Sequence, residues 1–369
     1  MKKIRVGLLF GGQSAEHEVS LQSAKNVIQA IDREKFEPVL IGIGKDGRWY
    51  LNKESEFLLN ENNPKLIKLN KAAAKPIAVQ PGDHDADRMV VTESDNEKIR
   101  NLDVIFPILH GPLGEDGTVQ GLMRLMDVAF VGPDVLGSAI GMDKDVTKRL
   151  ALASGIEIAP FATFHKHEIT PDVVSEVASK LGYPLFIKPA NMGSSVGISK
   201  ASNEKELRQA IDLAVKFDRK IIIEKGIKGR EIEVAVLGNE DPKASVPGEI
   251  IPQDGFYSYE AKYVDEKGAK LEAPADLPAE KVKEVQDLAV EIFKVLECEG
   301  MARVDFFLQP DGRFIFNEIN TIPGFTNISM YPRLWGLSGI SYKDLITNLI
   351  ELALDRHKQI KNLKTDCCF

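Results

Sequence analysis

The sequence contains only three cysteines: Cys298, Cys367 and Cys368. Their spacing fits neither a disulfide framework nor a metal motif, so we expect a protein of the reducing cytoplasm. Long apolar runs are also missing, because no segment approaches the roughly 20 apolar residues of a membrane span. The apolar stretch after the opening Met-Lys-Lys ends at Gly11 after about seven residues, at the bottom of the range for a secretory signal. We therefore expect neither membrane insertion nor export.

An excess of basic residues is absent as well, since the formal net charge of the 369 residues is -8. Nucleic-acid binding requires a basic face, so we expect no nucleic-acid partner. A few local lysines can still hold a small anionic ligand. The hydrophobic fraction of 43% is typical of a soluble globular protein, and the length predicts two or three structural units with buried cores.

A β-hairpin near the C-terminus is the most informative segment. Two apolar runs flank Gln309-Pro310-Asp311-Gly312, which has the composition of a turn. With these four residues as the loop, three pairs face each other: Leu308 with Arg313, Asp305 with Phe316, and Arg303 with Glu318. Side-chain alternation then places four polar residues on one face, namely Arg303, Asp305, Glu318 and Asn320. The opposite face is predicted to be core and contains Val304, Phe306, Leu308, Ile315 and Ile319.

The polar face of this hairpin predicts a bound cation. Two carboxylates on an otherwise apolar hairpin repel each other, and Arg303 alone cannot neutralise both. Oxygen ligands from Asp305, Glu318 and Asn320, with no His or Cys nearby, suit Mg²⁺ or Mn²⁺ on a nucleotide better than Zn²⁺. A structural salt bridge on a half-exposed sheet explains the two acids equally well. Asn320, followed by Thr-Ile-Pro-Gly, favours the metal interpretation.

The chain begins with a strand, a glycine turn and a helix. Apolar runs at Ile4 to Phe10, Val39 to Ile43 and Val104 to Leu109, with helical periodicity after the first, predict a parallel α/β unit. The first turn lacks the GxGxxG spacing, which argues against a dinucleotide site and an NAD-dependent dehydrogenase. Glu16 stands where α/β sheets bind ligands and is suited to an ammonium group, whereas Glu18 can instead cap the start of the helix.

His110 begins a second glycine-rich loop, HGPLGEDG, at the same edge of the predicted sheet. His110 could take part in catalysis, or it could organise that loop by hydrogen bonding. Residues 53 to 100, in contrast, are polar and proline-rich, and we expect an irregular surface excursion there.

A further α/β pattern follows with helices expected at 143–153, 171–181 and 203–217. The strand Leu185 to Pro189 carries Lys188 and leads into a loop that contains Gly-Ser-Ser-Val-Gly, 193–197. Backbone N–H groups of such a loop can bind phosphate oxygens while Lys188 supplies positive charge. A flexible turn is the alternative. No GxxxxGK[ST] element is present, so this is not a P-loop protein.

Two later segments suggest ligand contacts. The strand 221–226 is followed by an alternating strand, 229–234, and this connection can offer main-chain groups to an adenine and Glu231 to ribose hydroxyls. A solvated charged strand explains the same alternation. The aromatic segment 254–264, DGFYSYEAKYV, is suited to a loop that closes over a site, or that packs its own rings. Helices are expected at 278–296 and 341–356.

The order of these motifs resembles the D-alanine:D-alanine ligases, which are ATP-grasp enzymes of peptidoglycan synthesis. The similarity covers residues 4 to 358 and rests on nine elements in register: GGQSAEHEVS, HGPLGEDG, Met142-Asp143-Lys144, Lys188-Pro189 with GSSVG, Glu224-Lys225 with Glu231, EAKY, Arg303-Val304-Asp305, Asn317-Glu318-Ile319-Asn320 and Pro323-Gly324. The resemblance implies an N-terminal Rossmann-like parallel α/β domain, 1–140, and an ATP-grasp module of two α+β subdomains, 141–226 and 227–358. ATP would lie between the two sheets of the module, and 359–369 would be a flexible tail.

The resemblance also implies the nucleotide contacts. The loop with Ser194 and Ser195 would cover the phosphates. Three lysines would contact them: Lys144, Lys188 and Lys262. The adenine pocket would be lined by Glu224, Lys225 and Ile227, with Glu231 on the ribose and Phe307 beneath the base. Asp305, Glu318 and Asn320 would hold two Mg²⁺ or Mn²⁺ ions.

For the substrates, the resemblance implies that ATP activates one D-alanine as an acyl phosphate, which a second D-alanine attacks. Glu16, Val19 and His110 would bind the first D-alanine, Ser329 and Met330 the second, and Arg303 with the Gly324 N–H the oxyanion. Glu16, Ser194 and Tyr263 would be joined by hydrogen bonds across the closed site, and Tyr263 would favour D-alanine over D-lactate. A homodimer through the first domain is implied. The rival interpretations are a related ligase with D-serine or D-lactate as second substrate, and a non-catalytic amino-acid or nucleotide-binding module.

Overall fold

The computed structural model describes residues 2–79, 90–92, 98–99, 102–252 and 269–364. Numbered along the chain, the strands are β1 (Ile4–Gly11), β2 (Phe36–Ile43), β3 (Trp49–Asn52), β4 (Leu58–Leu59), β5 (Lys68–Leu69), β6 (Lys75–Val79), β7 (Val90–Thr92), β8 (Lys98–Ile99), β9 (Val104–Ile108), β10 (Ala129–Phe130), β11 (Phe161–His165), β12 (Leu185–Pro189), β13 (Ser199–Ala201), β14 (Lys220–Lys225), β15 (Arg230–Gly238), β16 (Lys243–Ala244), β17 (Gly248–Pro252), β18 (Ala269–Glu272), β19 (Gly300–Leu308) and β20 (Phe314–Asn320). The helices are α1 (His17–Ala30), α2 (Thr118–Leu125), α3 (Val135–Met142), α4 (Lys144–Ala153), α5 (Pro171–Leu181), α6 (Glu204–Ala214), α7 (Ala279–Val295), α8 (Met330–Leu337) and α9 (Tyr342–Lys361).

The first sheet has the strand order β10-β9-β1-β2-β3-β6-β7-β8, and its first four strands are parallel. Apolar β1 is buried on both faces, as expected for a central parallel strand. Phe10 of β1 pairs with Ile108 of β9, so the loops that follow these two strands leave the sheet side by side. This register brings the segment with Glu16 next to the segment with His110.

The expectation of an irregular excursion at 53–100 is wrong in part. Strand β6 pairs with β3, and β7 and β8 follow it as antiparallel strands at the edge of the first sheet. Short strands at an edge need little apolar surface, which is why a polar, proline-containing stretch gave no strand pattern.

Two antiparallel sheets follow. The second sheet has the order β11-β14-β12-β13 and packs against α5 and α6. The third has the order β18-β17-β15-β19-β20, with β16 paired to β15, and packs against α7. The observed α5 and β12 have the predicted bounds, whereas α4 and α6 begin one residue later because Asp143 and Asn203 are their caps.

The register of the β19–β20 hairpin differs from the prediction. Leu308 pairs with Phe314, not with Arg313, and Phe306 pairs with Phe316. A β-bulge then shifts the register, so that Asp305 faces Glu318 and Arg303 faces Asn320. Asn317 is the extra residue of the bulge. The predicted pairs Asp305–Phe316 and Arg303–Glu318 are therefore wrong, but the bulge places the two carboxylates directly opposite each other.

The bulge also corrects the predicted core face. Val304, Phe306, Leu308 and Ile319 lie in the core under the third sheet. Ile315 is buried, but it pairs with Phe307 and shares that residue's face of the sheet. Phe314 and Phe316 take the core position instead.

Helix α9 packs against the first sheet, and its apolar residues belong to the same cluster as β1 and β9. The flexible tail was predicted to begin at residue 359, but α9 continues to Lys361. Near its end, His357 Nε2 lies 3.7 Å from Asp127 Oδ1. None of the helices in the described part of the chain is long and apolar enough to span a membrane. The domain boundaries at 140, 226 and 358 stay a prediction.

Candidate active site

Two cavities lie between the sheets. The inner cavity lies between the loops after β1 and β9, the third sheet and the segment before α8. The outer cleft, of about 690 Å³, lies between the second and third sheets. Glu233, Ile250 and Glu318 line both cavities, so the two spaces meet at the polar face of the third sheet.

Ten residues predicted from the sequence line the inner cavity: Glu16, Val19, His110, Ser194, Arg303, Glu318, Asn320, Gly324, Ser329 and Met330. Nine line the outer cleft: Lys188, Ser195, Glu224, Lys225, Ile227, Glu231, Asp305, Phe307 and Glu318. Lys144 lines neither; its Nζ donates to Met192 O at 2.6 Å and lies 3.9 Å from Glu318 Oε2. Lys262 and Tyr263 lie outside the described residues.

Glu16 joins the first sheet to the loop after β12. Its Oε1 accepts a hydrogen bond from Ser194 Oγ, although the two residues are 178 positions apart. Glycines at 111 and 193 make room for the carboxylate, because a Cβ at either position would lie 2.9 Å from Glu16 Oε2. The carboxylate is therefore held at the wall of the inner cavity, where it can receive an ammonium group.

His110 organises the loops around this cavity. Its Nδ1 donates to Ile322 O at 3.0 Å, and its Nε2 accepts from Ser23 Oγ at 3.3 Å. Ser23 Oγ also accepts from the Phe325 N–H. Burial lowers the pKa of His110, which keeps the ring neutral and consistent with this tautomer. The loop-organiser interpretation is thus met by its contacts, and the ring also lines the inner cavity.

Glu115 is a cavity residue that the sequence analysis did not single out. Its two carboxyl oxygens accept from the N–H groups of Gly111, at 2.7 Å, and Ile322, at 3.3 Å. Burial and the negative charge of Glu16 raise the pKa of Glu115 to about 8. The residue connects the HGPLGEDG loop to the segment after β20 and is one of the two acids of that motif.

The raised pKa of Glu115 predicts a specific pH dependence of stability. The folded chain binds this proton more tightly than the unfolded chain, whose pKa is near 4.5, so the stabilisation is lost as the pH rises from there through about 8. In thermal unfolding, the Tm of the unmodified protein should fall over this window relative to that of Glu115→Gln. Exposed Glu54, replaced by Gln, is the control. Parallel Tm curves for the protein and Glu115→Gln would show that this titration is absent.

Arg303 lies between two carboxylates on the third sheet. Its Nε and Nη2 donate to the two Asp305 oxygens at 2.8 and 2.7 Å, and its Nε lies 3.3 Å from Glu233 Oε1. Asn320 Nδ2 donates to Asp305 Oδ2 at 3.0 Å. The predicted polar face is thus formed, with Glu233 of β15 as a member that was missed. The sequence could have identified Glu233, because it lies two positions after Glu231 and such residues of a strand point to the same face.

A cluster of two lysines and one glutamate lies at the second sheet, where Lys188 and Glu224 line the outer cleft and Lys148 is buried behind them on α4. Glu224 Oε1 lies 2.8 Å from Lys148 Nζ, and its Oε2 lies 2.6 Å from Lys188 Nζ. Burial alone would raise the pKa of Glu224, but the two ammonium groups outweigh it and lower the pKa to about 2. Lys148 was also missed, although it follows Lys144 by four residues, which places both on one face of α4.

The loop after β12 has an unusual backbone. Ser194 and Ser195 both adopt left-handed conformations, with φ of 50° and 60°, which are uncommon outside glycine. Such a backbone turns successive N–H groups toward one side, as anion-binding loops do. At the end of β14, Lys225 Nζ donates to the carbonyls of Gly182 and Tyr183. Lys225 therefore uses its ammonium group within the protein.

The remaining wall of the inner cavity comes from the segment between β20 and α8. Ser329 Oγ accepts from the Thr326 N–H at 2.9 Å, and a Cβ at position 324 would lie 2.8 Å from this oxygen. A side chain at Gly324 would therefore displace Ser329. Met330 begins α8 and contributes an apolar surface.

A parallel α/β domain followed by two antiparallel sheets with a lysine-rich cleft between them is the fold of the ATP-grasp ligases. The family model described as D-ala D-ala ligase N-terminus matches residues 5–133, and the model described as D-ala D-ala ligase C-terminus matches residues 150–351. The chain belongs to the D-alanine:D-alanine ligase family.

Individual relatives agree with this assignment. The chain is 56% identical to a D-alanine--D-alanine ligase of Shouchella clausii over 365 residues, covering 99% of this chain and 98% of the relative. It is 53% identical to D-alanine--D-alanine ligase A of Escherichia coli K12, covering 99% and 100%. Among solved structures, the D-alanine-D-alanine ligase from Coxiella burnetii has a TM-score of 0.84 at 38% identity, covering 98% of this chain and 97% of that one. The VanG D-Ala:D-Ser ligase from Enterococcus faecalis also has a TM-score of 0.84, at 37% identity, covering 95% and 100%.

Proposed function

We propose that the protein joins two D-alanine molecules to D-alanyl-D-alanine, with cleavage of ATP to ADP and phosphate, to supply a peptidoglycan precursor. The observation that carries this proposal is the junction of the two cavities at Glu318. The inner cavity offers Glu16 to an ammonium group and Arg303 to an anion, while the outer cleft offers Lys188 to phosphates. An amino acid in the first and a nucleotide in the second would place a carboxylate beside a terminal phosphate.

The first step activates the carboxylate of the first D-alanine, because a carboxylate is a poor electrophile. Transfer of the γ-phosphoryl group to a carboxylate oxygen of the first D-alanine gives an acyl phosphate and ADP. Lys144, Lys188 and the N–H groups near Ser195 oppose the charge on the phosphoryl oxygens. Glu16 holds the ammonium end of the same molecule and so orients its carboxylate toward the outer cleft.

The polar face of the hairpin fits the divalent ions that such a transfer requires. Asp305 and Glu318 face each other across β19 and β20, Asn320 contacts Asp305, and these donors are all hard oxygens. In the described parts of the chain, no three His, Cys, Asp or Glu side chains converge on a single metal position. The donors of this site are two carboxylates and an amide. We propose that it holds two Mg²⁺ or Mn²⁺ ions, which supply charge neutralisation at the phosphates.

In the second step, the amine of the second D-alanine attacks the carbonyl carbon of the acyl phosphate, phosphate leaves, and the amine loses a proton. Arg303 and the Gly324 N–H lie at the inner cavity, where they can stabilise the tetrahedral oxyanion. Ser329 and Met330 would seat the second molecule. The Glu16–Ser194 hydrogen bond keeps the glycine loop against this site, which excludes water from the acyl phosphate.

The test is phosphate release from ATP with and without D-alanine, with the product identified by mass spectrometry. D-alanine-dependent release with D-alanyl-D-alanine as the product is expected. A product with D-serine or D-lactate at the second position, when all three acceptors compete, would identify the related ligases instead. Phosphate release that does not depend on D-alanine would contradict ligation altogether.

Replacement of Tyr263 by Phe tests the proposed choice of acceptor. In the family pattern EAKY, this tyrosine favours D-alanine over D-lactate, so Tyr263→Phe should raise the fraction of D-alanyl-D-lactate in a competition assay. Tyr257→Phe, in the same aromatic segment but outside that motif, is the control. If Tyr263→Phe still makes only the dipeptide when D-alanine and D-lactate compete, the assignment of Tyr263 is refuted.

We further propose that the enzyme is a cytoplasmic homodimer, since its substrates are small metabolites and its family assembles through the first domain. Sedimentation equilibrium of the purified chain distinguishes a dimer from a monomer.

A further inference from the structure

Lys148 carries a buried charge with contacts on two sheets. Its side chain is 1% exposed, and its Nζ lies 2.8 Å from Glu224 Oε1 on β14 and donates to Asn317 O on β20 at 3.0 Å. An ammonium group in such surroundings is costly unless it is paired and hydrogen-bonded. These contacts therefore fix the position of the Lys148 ammonium group, and Lys148 in turn fixes the positions of Glu224 and of the Asn317 carbonyl.

We propose that Lys148 is a positioning residue of the nucleotide site, which sets the spacing between Lys188 on the second sheet and Glu318 on the third. Lys148 lines neither cavity, so it acts through its neighbours and not by touching the nucleotide. The inference rests on the nucleotide placement proposed above.

The first connection runs through Glu224. One carboxylate oxygen pairs with Lys148 and the other with Lys188, so the three groups together carry one positive charge. Without Lys148, Glu224 would neutralise Lys188, and the cluster would have no net charge to offer a phosphate. Lys148 thus keeps Lys188 available to an anionic ligand.

The second connection runs through the bulge. Asn317 is the extra residue of β20, and its side-chain Oδ1 lies 3.5 Å from Lys188 Nζ. Lys148 holds the carbonyl of this residue, and the next residue is Glu318, which stands opposite Asp305 because of the bulge. A single ammonium group therefore holds both the phosphate-binding lysine and the strand that presents the carboxylate.

The experiment measures ADP binding in the presence of Mg²⁺ by titration calorimetry, together with the KM values for ATP and D-alanine. Lys148→Met should weaken ADP binding and raise the KM for ATP by about tenfold or more, while the KM for D-alanine changes less than about twofold. Arg356→Met is the matched control. Arg356 is also a buried cation, 6% exposed, bonded to two carbonyls and Glu299, but it lines neither the inner cavity nor the outer cleft. It should lower the Tm and leave ADP binding unchanged.

A double variant separates the proposed role from damage to the fold. Lys148→Met with Glu224→Gln restores one positive charge at Lys188, so it should bind ADP more tightly than Lys148→Met alone. If Lys148→Met does not fold, the double variant is compared with Glu224→Gln, and it should bind ADP less tightly because it lacks the Lys148 contact with the Asn317 carbonyl.

Three results would overturn the inference: ADP binding by Lys148→Met at the level of the unmodified protein, binding by the double variant no tighter than by Lys148→Met, or binding by the double variant as tight as by Glu224→Gln. Failure of the unmodified protein to bind ADP with Mg²⁺ would instead overturn the proposed function.

Discussion

Replacement of Glu318 by Gln should reduce kcat by about a thousandfold while the Tm changes little. Glu318 lines both cavities and faces Asp305, so the loss of its charge removes a donor for a divalent ion where phosphoryl transfer is proposed. The Tm should stay close to that of the unmodified protein because two facing carboxylates repel each other, and removal of one charge relieves that repulsion.

The measurement is steady-state phosphate release at saturating ATP and D-alanine over a range of Mg²⁺ concentrations, with thermal unfolding in parallel. Glu157→Gln is the matched control, because Glu157 is exposed and pairs with Arg313 at the turn of the same hairpin. It should keep normal turnover. Normal turnover of Glu318→Gln at high Mg²⁺ would remove the metal assignment, and a large fall in its Tm would assign Glu318 a structural role.

The sequence predicted the strands and helices that have strong apolar periodicity, such as α5 and β12, together with the face on which the acids of the hairpin lie. These features are local, because alternation and capping depend on residues a few positions apart. The antiparallel edge formed by β6, β7 and β8 was not predicted, since strands of two to five residues are too short to leave a periodic pattern.

The register of the hairpin could not be predicted for a different reason. The bulge at Asn317 is stabilised by a distant side chain, Lys148 on α4, whose contact with Asn317 spans 169 positions. Glu115 escaped notice similarly, because its raised pKa depends on its burial in the folded chain and on Glu16 of another loop. The sequence motifs identified the loops of the site. The residues that hold those loops in position are distant in sequence and are found only in the tertiary structure.

Replacement of Arg303 by Lys should reduce dipeptide synthesis by about a hundredfold or more. Arg303 donates two hydrogen bonds to Asp305 and also contacts Glu233, and a lysine cannot reproduce this planar, bidentate arrangement while facing an oxyanion. Since the proposed role of Arg303 lies in the attack of the second D-alanine, formation of the acyl phosphate should suffer less, by under about tenfold.

Hydroxylamine separates the two steps, because it captures an acyl phosphate as a hydroxamate without needing the second amino acid. Arg303→Lys should therefore retain most D-alanyl hydroxamate formation and lose dipeptide formation. Arg313→Lys, which changes an exposed arginine of the same hairpin, should retain both. Equal losses of hydroxamate and dipeptide in Arg303→Lys would move the role of Arg303 to the phosphoryl-transfer step, where its contact with Asp305 would then be the part of the site that matters.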